Sequence, residues 1–182
     1  MTITYRIEEE DLLTAQLYLA SKSDRIRKRR QRSRWRVPVA YAIFGIFLLA
    51  IGDRSWFPLV FVLAGILWFF IYPLWERARY LKHFRGFIKE YQSGVTGRMV
   101  TLEISDNYLL AKEGDAESKV PFTNLEEISE IASGIIIILT GGQAFLLPEN
   151  RLENAGQIRD SLQALAVRAN IPFKADLQWK WK

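Results

Sequence analysis

The sequence contains no cysteine, and this absence excludes several classes of chemistry. Without a thiol, the chain forms no disulfide, has no thiolate nucleophile and cannot hold a cysteine-ligated zinc ion. Histidine is almost as scarce, since His83 is the only one. A Ser-His-Asp set or a histidine-based metal site would need partners that the sequence does not indicate. We therefore expect His83 to lie at the surface or in helix packing.

Phosphate-binding and acid-base motifs are missing as well. Gly141-Gly142 is not part of a glycine-rich loop followed by Lys-Ser/Thr, so a turn explains this pair better than a phosphate cradle. Glu126 and Glu127 are consecutive, and their side chains are expected to point in different directions. Because no acid, base or nucleophile converges, the sequence predicts a protein that is not an enzyme, with no catalytic residue, no metal site and no cofactor.

Acidic residues are scarce in the first half of the chain. Residues 1–99 contain 17 Lys or Arg and 8 Asp or Glu, whereas residues 100–182 contain 8 and 12. The net charge of +5 therefore hides a basic first half and an acidic second half. Once two long apolar runs are set aside, roughly 140 residues remain, enough for one small polar domain rather than two.

Those apolar runs are Val37–Gly52 and Trp56–Trp75, and only Asp53-Arg54-Ser55 separates them. As helices they cover about 24 and 30 Å, which predicts a transmembrane hairpin within residues 35–75, with spans at about 37–53 and 56–75. The first run is short for a bilayer and would need thinning, tilt or snorkelling flanks. Neither run contains Asp, Glu, Lys, Arg or His, so we expect no pore or proton relay from this chain alone.

Basic residues crowd both outer flanks of the hairpin, with eight in the twelve positions from Arg25 to Arg36. By the positive-inside rule both termini face the cytosol, which predicts a multi-pass protein of the bacterial cytoplasmic (inner) membrane. The first apolar run begins only at residue 37, so we expect no cleaved signal. Such a cationic run could neutralise nucleic acid, but its position beside a span favours anchoring and anionic lipid, with no nucleic acid partner. The predicted anionic-lipid contacts are Arg27, Lys28, Arg29, Arg30, Arg32, Arg34, Arg36, Arg77, Arg79 and Lys82.

Small residues recur on both predicted spans. Pro38, Gly45 and Gly52 are seven residues apart, and Ala64-Gly65 lies on the second span. This pattern favours close packing of the two helices within the chain, and dimerisation through the same face is the alternative. In the second span, Pro58 suits the first helical turn, whereas Pro73 is expected to kink or end the helix.

Outside the hairpin, the N-terminal part is predicted to contain one strand and one helix. Residues 2–7 alternate as a strand does, and we expect this strand to join the sheet formed after the hairpin. Residues 8–34 are predicted to be helical because an acidic cluster opens them, so that segment 1–34 is a strand followed by a basic stalk helix. The second span has no helix breaker before about Ser93, which predicts a further stalk helix over residues 76–96.

The C-terminal part, residues 97–172, is predicted to be a small antiparallel sheet domain capped by a helix. The predicted strands are 99–104, 108–112 and 118–122, followed by a hairpin of 135–140 with 143–147 across Gly141-Gly142, the pair that a two-residue primed turn accepts. Leu125, Ile128 and Ile131 are three apart, which predicts a helical turn that runs into a further strand. Residues 152–168 form an amphipathic helix that covers the sheet. The tail, 173–182, is expected to be disordered, with a membrane contact of its Trp-Lys end as the alternative.

Several short segments of this chain are locally similar to a known protein family, at positions that pack in the fold rather than at chemically active ones. They are Tyr5–Asp11, Val120-Pro121-Phe122, Ile128, Glu130, Ile135–Leu139 and Leu146-Leu147-Pro148. In these segments and in the order of its parts, the chain resembles the YcxB-like family of bacterial membrane proteins. The resemblance implies a C-terminal domain similar to the pleckstrin-homology (PH) fold and no assigned activity. Members tend to have a basic residue where this chain has Glu149, so an anion contact at that loop does not carry over.

The sequence thus predicts an α+β membrane protein with a transmembrane helical hairpin, cytosolic stalk helices and a PH-like domain. Its expected function is to bind a protein segment or anionic lipid at the membrane surface. The alternative is an accessory subunit of a larger membrane complex that acts through its hairpin. Membrane lipids are the expected partners, together with a protein partner or a second copy of the chain.

Overall fold

The computed structural model has an α+β fold and describes residues 1–52, 56–94 and 96–181. The connection predicted at residues 53–55 lies outside the described residues. The chain divides into two units. The sheet unit comprises Met1–Leu19 and Phe84–Lys180, and the helical unit comprises Ala20–His83 with Trp181.

Eight strands and four α-helices make up the described chain. The strands are β1 (Thr2–Arg6), β2 (Met99–Ile104), β3 (Tyr108–Glu113), β4 (Ala116–Pro121), β5 (Leu125–Ile131), β6 (Gly134–Leu139), β7 (Ala144–Pro148) and β8 (Phe173–Ala175). The helices are α1 (Glu9–Lys22), α2 (Asp24–Ala50), α3 (Phe57–Tyr91) and α4 (Ala155–Ala169). Two four-stranded sheets result, in the orders β1-β2-β3-β4 and β7-β6-β5-β8.

The N-terminal strand joins the sheet that forms after α3, as the sequence predicted. β1 pairs antiparallel with β2 over five residues, from Thr2 opposite Glu103 to Arg6 opposite Met99. Ile3 and Tyr5 are buried, whereas Thr4 is exposed on the other face. This alternation is what a strand with one face in the core requires. The pairing places the N-terminal residues in one sheet with residues that follow α3.

The prediction of a helical turn at Leu125, Ile128 and Ile131 is wrong, because these residues belong to β5. A bulge after Leu125 adds one residue to the strand, so Leu125 and Ile128 both enter the core between sheet and α4. Ile131 packs on the opposite face of the sheet, against α1. A bulge and two buried faces therefore produced a spacing of three that resembles a helix.

The hairpin of β6 and β7 forms where it was predicted, but its turn has a different geometry. The Gly142 N–H donates to the Leu139 carbonyl at 2.9 Å, and only Gly142 of the glycine pair has a positive φ, of 75°. The connection is therefore a three-residue loop whose left-handed residue follows the turn, not a two-residue primed turn. β6 is apolar throughout because its two faces contact the two separate hydrophobic clusters of the sheet unit.

The C-terminal segment is not the disordered tail that the sequence predicted, over the part of it that the structure describes. β8 adds to β5 as a parallel strand, from Ile128 opposite Phe173 to Glu130 opposite Ala175. The second sheet is therefore mixed rather than purely antiparallel. Trp181 is buried, at 7% exposure. The preceding helix α4 covers the sheet as expected, with Ile158 and Leu162 buried.

The predicted helix over residues 8–34 is in fact two helices. α1 ends at Lys22, and Ser23 caps α2 by accepting a hydrogen bond from the Ile26 N–H at 3.4 Å. The hydroxyl satisfies one of the amide groups that a helix leaves open at its start. From that cap α2 runs through the basic residues and through the first apolar run without interruption, so the basic run and the first span form one helix.

α3 also runs unbroken, over 35 residues, and joins the second apolar run to the predicted stalk. Pro58 lies in its first turn as predicted, whereas the helix continues through Pro73 rather than ending there. The most apolar 18-residue windows of α2 and α3 are 6% and 17% buried. Both helices are long and apolar enough to cross a membrane.

Glycine allows α2 and α3 to approach each other. A Cβ atom at Gly45 would lie 3.4 Å from the Pro58 carbonyl oxygen, and one at Gly65 would lie 3.6 Å from the Pro38 Cα. The predicted packing between the two helices is therefore confirmed at these two glycines. Gly52 has no such neighbour within 4 Å.

Candidate anion-binding site

A basic cleft of about 720 Å³ lies in the helical unit, and α2 supplies most of its wall. Its lining residues are Arg25, Lys28, Arg29, Arg32, Ser33, Arg36, Val37, Trp68, Tyr72 and Arg79. Apart from the adjacent pair Lys28-Arg29, successive α2 cations are three or four residues apart, the spacing that places side chains on one face of a helix. The Ser23 cap starts α2 just before Arg25, so the whole series is helical. Arg79 faces the same cleft from α3.

The six cations of this cleft have no carboxylate partner within the described ranges. The Arg79 guanidinium lies 4.6 Å from the Trp75 ring centroid, a cation–π contact that leaves its charge in place. All six side chains are exposed to solvent. A concave surface lined by charges of one sign focuses its field on an ion of opposite sign, so the cleft attracts anions.

Uncharged hydrogen-bond donors lie among these cations. The Trp68 Nε1 is buried and has no hydrogen-bond partner among the residues that are described. The Ser33 hydroxyl lines the same cleft, and the Tyr72 hydroxyl donates to Glu76 Oε1 at 3.0 Å. A buried N–H without a partner is costly, so an acceptor oxygen that reached Trp68 would stabilise the site.

The structure brings half of the predicted lipid contacts together and places the others elsewhere. Lys28, Arg29, Arg32, Arg36 and Arg79 line the cleft, whereas Arg27, Arg30, Arg34, Arg77 and Lys82 do not. Arg27 pairs with Asp24 at 2.5 Å, and the Arg34 guanidinium lies 3.8 Å from the centroid of the Phe69 ring. Arg77 and Lys82 are exposed. Arg25 was missed as a site residue, although its spacing from Lys28 and Arg29 was a usable signal.

Arg30 makes a partly buried ion pair with Glu76 beside the cleft. Its Nε lies 3.0 Å from Glu76 Oε2, and the Glu76 residue is 4% exposed. The Tyr72 hydroxyl satisfies the other carboxylate oxygen, and the Arg30 guanidinium lies 4.8 Å from the Trp181 ring centroid. A buried charge is tolerated when it is paired and hydrogen-bonded in this way. Sequence reasoning missed the pair because Glu76 follows directly after the second apolar run.

The sheet unit contains a second polar cluster, at the outer edge of β5. The Lys174 ammonium pairs with the Glu127 carboxylate, which also accepts a hydrogen bond from the Ser129 hydroxyl at 2.5 Å. Glu127 and Ser129 are buried. The cluster therefore ties β8 to the edge of β5 by charge as well as by backbone pairing.

Another cavity of the sheet unit, of about 260 Å³, lies between β4 and β7 and is lined in part by Tyr5, Leu12 and Phe145. Burial, and to a smaller extent the negative charge of Asp11, raises the pKa of the Tyr5 hydroxyl far above its ordinary value. Tyr5 is therefore a neutral core residue.

His83 is exposed, and the described residues include no group of three His, Cys, Asp or Glu that could hold a metal ion.

Comparison with known proteins gives one match. No curated protein and no solved structure matches the chain significantly. A family model described as YcxB-like protein matches residues 104–162, about a third of the chain, from the end of β2 into α4. The packing positions from Val120 to Pro148 lie inside this range, whereas Tyr5–Asp11 lies outside it. Residues 104–162 are thus a YcxB-like segment, and the family resemblance drawn from the sequence is confirmed there.

Proposed function

We propose that this chain is an integral protein of the bacterial cytoplasmic membrane that anchors a binding module, and that it is not an enzyme. The observation that carries the proposal is the exposure of α2 and α3, whose most apolar windows are 6% and 17% buried. In water, such surfaces would have to be covered by other parts of the protein, whereas in a bilayer they contact lipid.

Strand pairing supports a hairpin topology with both termini on one side. β1 precedes α2 in the chain and β2 follows α3, yet the two strands share a backbone ladder. Such a ladder cannot form across a bilayer. The start of α2 and the end of α3 are therefore expected on the same face of the membrane, and the cations there support the proposal that this face is cytosolic.

Two experiments test the anchor. Washing membranes with alkaline carbonate should leave the full chain in the pellet, and tags on its two ends should both report the cytosol. Release of the intact protein into solution, or tags on opposite sides, would refute the hairpin.

The module is proposed to bind an extended protein segment at the edge of β5. Two sheets followed by a helix support the PH-like arrangement, and β8 supports the ability of this edge to accept an added strand. Added strands gain affinity from main-chain hydrogen bonds and specificity from side chains. Phe173 and Lys174, together with Glu127, give the expected chemistry: an aromatic residue followed by a cation that reaches a buried carboxylate.

A peptide with the sequence of residues 171–178 is the probe. The full chain in nanodiscs should bind it at least about tenfold more tightly when Lys174→Glu weakens the chain's own β8, since this change replaces the Lys174–Glu127 ion pair with two like charges. Lys180→Glu makes the same charge change in the same segment and should bind the peptide as the wild type does. Equal peptide affinity in all three proteins, or no binding to the Lys174→Glu variant, would contradict the proposal.

The second candidate function is an accessory subunit that docks through its hairpin. It is favoured by an apolar groove of about 370 Å³ on α2 and α3, beside Pro38 and Gly65, which could accept the side chains of a partner's membrane helix. Exchanging the hairpin for an unrelated one separates the two proposals. Partner capture that survives the exchange supports the module, and capture that is lost supports the accessory subunit.

A further inference from the structure

We infer that the basic cleft binds the headgroup of an anionic phospholipid that carries two phosphate groups. This inference rests on the proposed membrane insertion and goes beyond it, since it names the ligand class and the residues that select it. Three features of the cleft support this ligand: the length of its cationic face, its uncompensated charge and its position along α2.

The length of the cationic face favours two phosphates over one. Arg25 and Arg36 lie eleven residues apart on one helix, roughly 16 Å along its axis. A single phosphate contacts two or three such side chains and would leave the others uncompensated. A headgroup with two phosphates joined by a short linker spans more of this face. Guanidinium groups suit it because each can donate two parallel hydrogen bonds to a phosphate.

The position of the cleft favours a membrane lipid over a free anion. Its cations end at Arg36, directly before the first apolar run, and Val37, Trp68 and Tyr72 complete the lining. Tryptophan and tyrosine side chains suit headgroup depth, because the ring is apolar and its polar group can face water. A lipid can place its phosphates among the cations while its acyl chains stay in the bilayer. Basic sites next to membrane spans bind multivalent lipid headgroups in this way.

The Trp68 indole ring lines the cleft, and its Nε1 has no hydrogen-bond partner among the described residues. It is a buried donor in a site whose other polar groups are mainly donors as well. The site therefore lacks acceptors, and phosphate oxygens would supply them.

The test compares two variants that lose the same charge. The cleft variant carries Arg29→Gln, Arg32→Gln and Arg36→Gln. The control carries Arg77→Gln, Lys82→Gln and Arg85→Gln on exposed positions of α3 outside the cleft. Each full-length protein is purified in a non-ionic detergent. Bound lipid is then measured by native mass spectrometry with cardiolipin, which has two phosphates, phosphatidylglycerol, which has one, or zwitterionic phosphatidylcholine.

Cardiolipin should bind the wild type more tightly than phosphatidylglycerol does, and phosphatidylcholine should bind least. The cleft variant should bind cardiolipin about ten- to a hundredfold more weakly than the wild type, and the control less than about threefold more weakly. Equal losses in the two variants would overturn the cleft as a site. Equal affinity for the one- and two-phosphate lipids would overturn the two-phosphate inference.

Two further measurements complete the design. Inorganic phosphate at millimolar concentration should leave bound cardiolipin in place, and full displacement would identify a free phosphate ion as the ligand and overturn the lipid assignment. Both variants should keep the helical content of the wild type and resist alkaline extraction. Extraction of the wild type itself would refute membrane insertion, which distinguishes failure of the proposed function from failure of the lipid site.

Discussion

Replacing Ile3 with alanine should destabilise the sheet unit strongly, even though this residue is near the end of the chain. The Ile3 side chain is 3% exposed and packs in the main hydrophobic core, on the inner face of β1 opposite Leu102. Truncating a buried isoleucine to alanine costs about 2–5 kcal/mol, which combines the lost transfer free energy with the cavity left behind. For a unit of this size, 3 kcal/mol corresponds to a fall in Tm of roughly 10–20 °C.

Thr4→Ala provides the matched control on the same strand. Thr4 is exposed, and its hydroxyl lies 3.2 Å from the hydroxyl of Thr101 on β2. Loss of such an exposed cross-strand pair costs about 0.2–1 kcal/mol. The two substitutions shorten neighbouring residues of β1, so the difference between them isolates burial from strand propensity.

Hydrogen exchange of the β2 amides, measured on the full chain in nanodiscs, reports the sheet unit without interference from the helical unit. A loss of 3 kcal/mol should speed exchange across Met99–Ile104 about a hundredfold in Ile3→Ala, and less than about tenfold in Thr4→Ala. Equal exchange rates in the two variants would refute the claim that β1 is an integral strand of this sheet.

Three further predictions follow from buried groups. Gly134→Ala should lower the Tm of the sheet unit, measured by thermal unfolding, at a cost above about 3 kcal/mol because its Cβ would lie 2.1 Å from a backbone oxygen, whereas Gly141→Ala meets nothing within 4 Å and should be tolerated. Glu76→Gln should destabilise the helical unit by about 1–3 kcal/mol because it removes the charge that pairs with the partly exposed Arg30 guanidinium, whereas Glu90→Gln at an exposed position of the same helix should not. Loss of helical circular dichroism on heating measures both. Folding raises the pKa of Tyr5 above 10.0, so its contribution to stability is complete below pH 10 and is lost as the pH rises further. Melting curves should therefore show a smaller loss of Tm above pH 10 in Tyr5→Phe than in the wild type, and parallel losses would contradict this origin.

Strands with one buried face and helices with long apolar runs could be predicted from the sequence. β2 lies at the predicted residues 99–104, and α3 joins the second apolar run to its stalk as expected. In both cases the local pattern of apolar residues matches the final environment, so local and tertiary preferences agree.

The errors arose where tertiary contacts override the local pattern. A bulge in β5 and contacts on both faces of its sheet gave strand residues a spacing of three. The break between α1 and α2 is instead a local feature, since Ser23 has an extended backbone and caps α2 through the Ile26 N–H. β8 is a strand because the edge of β5 and the Glu127 carboxylate hold it, and its own sequence has little strand pattern.

The basic site was predictable as a set of cations but not as a cleft. From charge density alone, Arg27 and Arg30 were predicted to contact lipid on the same grounds as Arg29 and Arg32. Pairing separates them, because Arg27 and Arg30 have carboxylate partners and the other two line the cleft. Which cations remain unpaired depends on the helix start at Ser23 and on contacts with α3, and neither can be obtained from composition.

The pairing of β1 with β2 also affects how the protein is made. Ninety-three positions of chain separate the end of β1, at Arg6, from the start of its partner at Met99. At 5–20 residues per second, a ribosome needs about 5–20 s to add them. During that delay β1 has no partner strand to cover its apolar side chains. If α2 and α3 insert into a bilayer as proposed, their insertion would have to finish before the strand is covered. Correct assembly therefore depends on the order of synthesis, and slow insertion would expose β1 to chaperones or to aggregation.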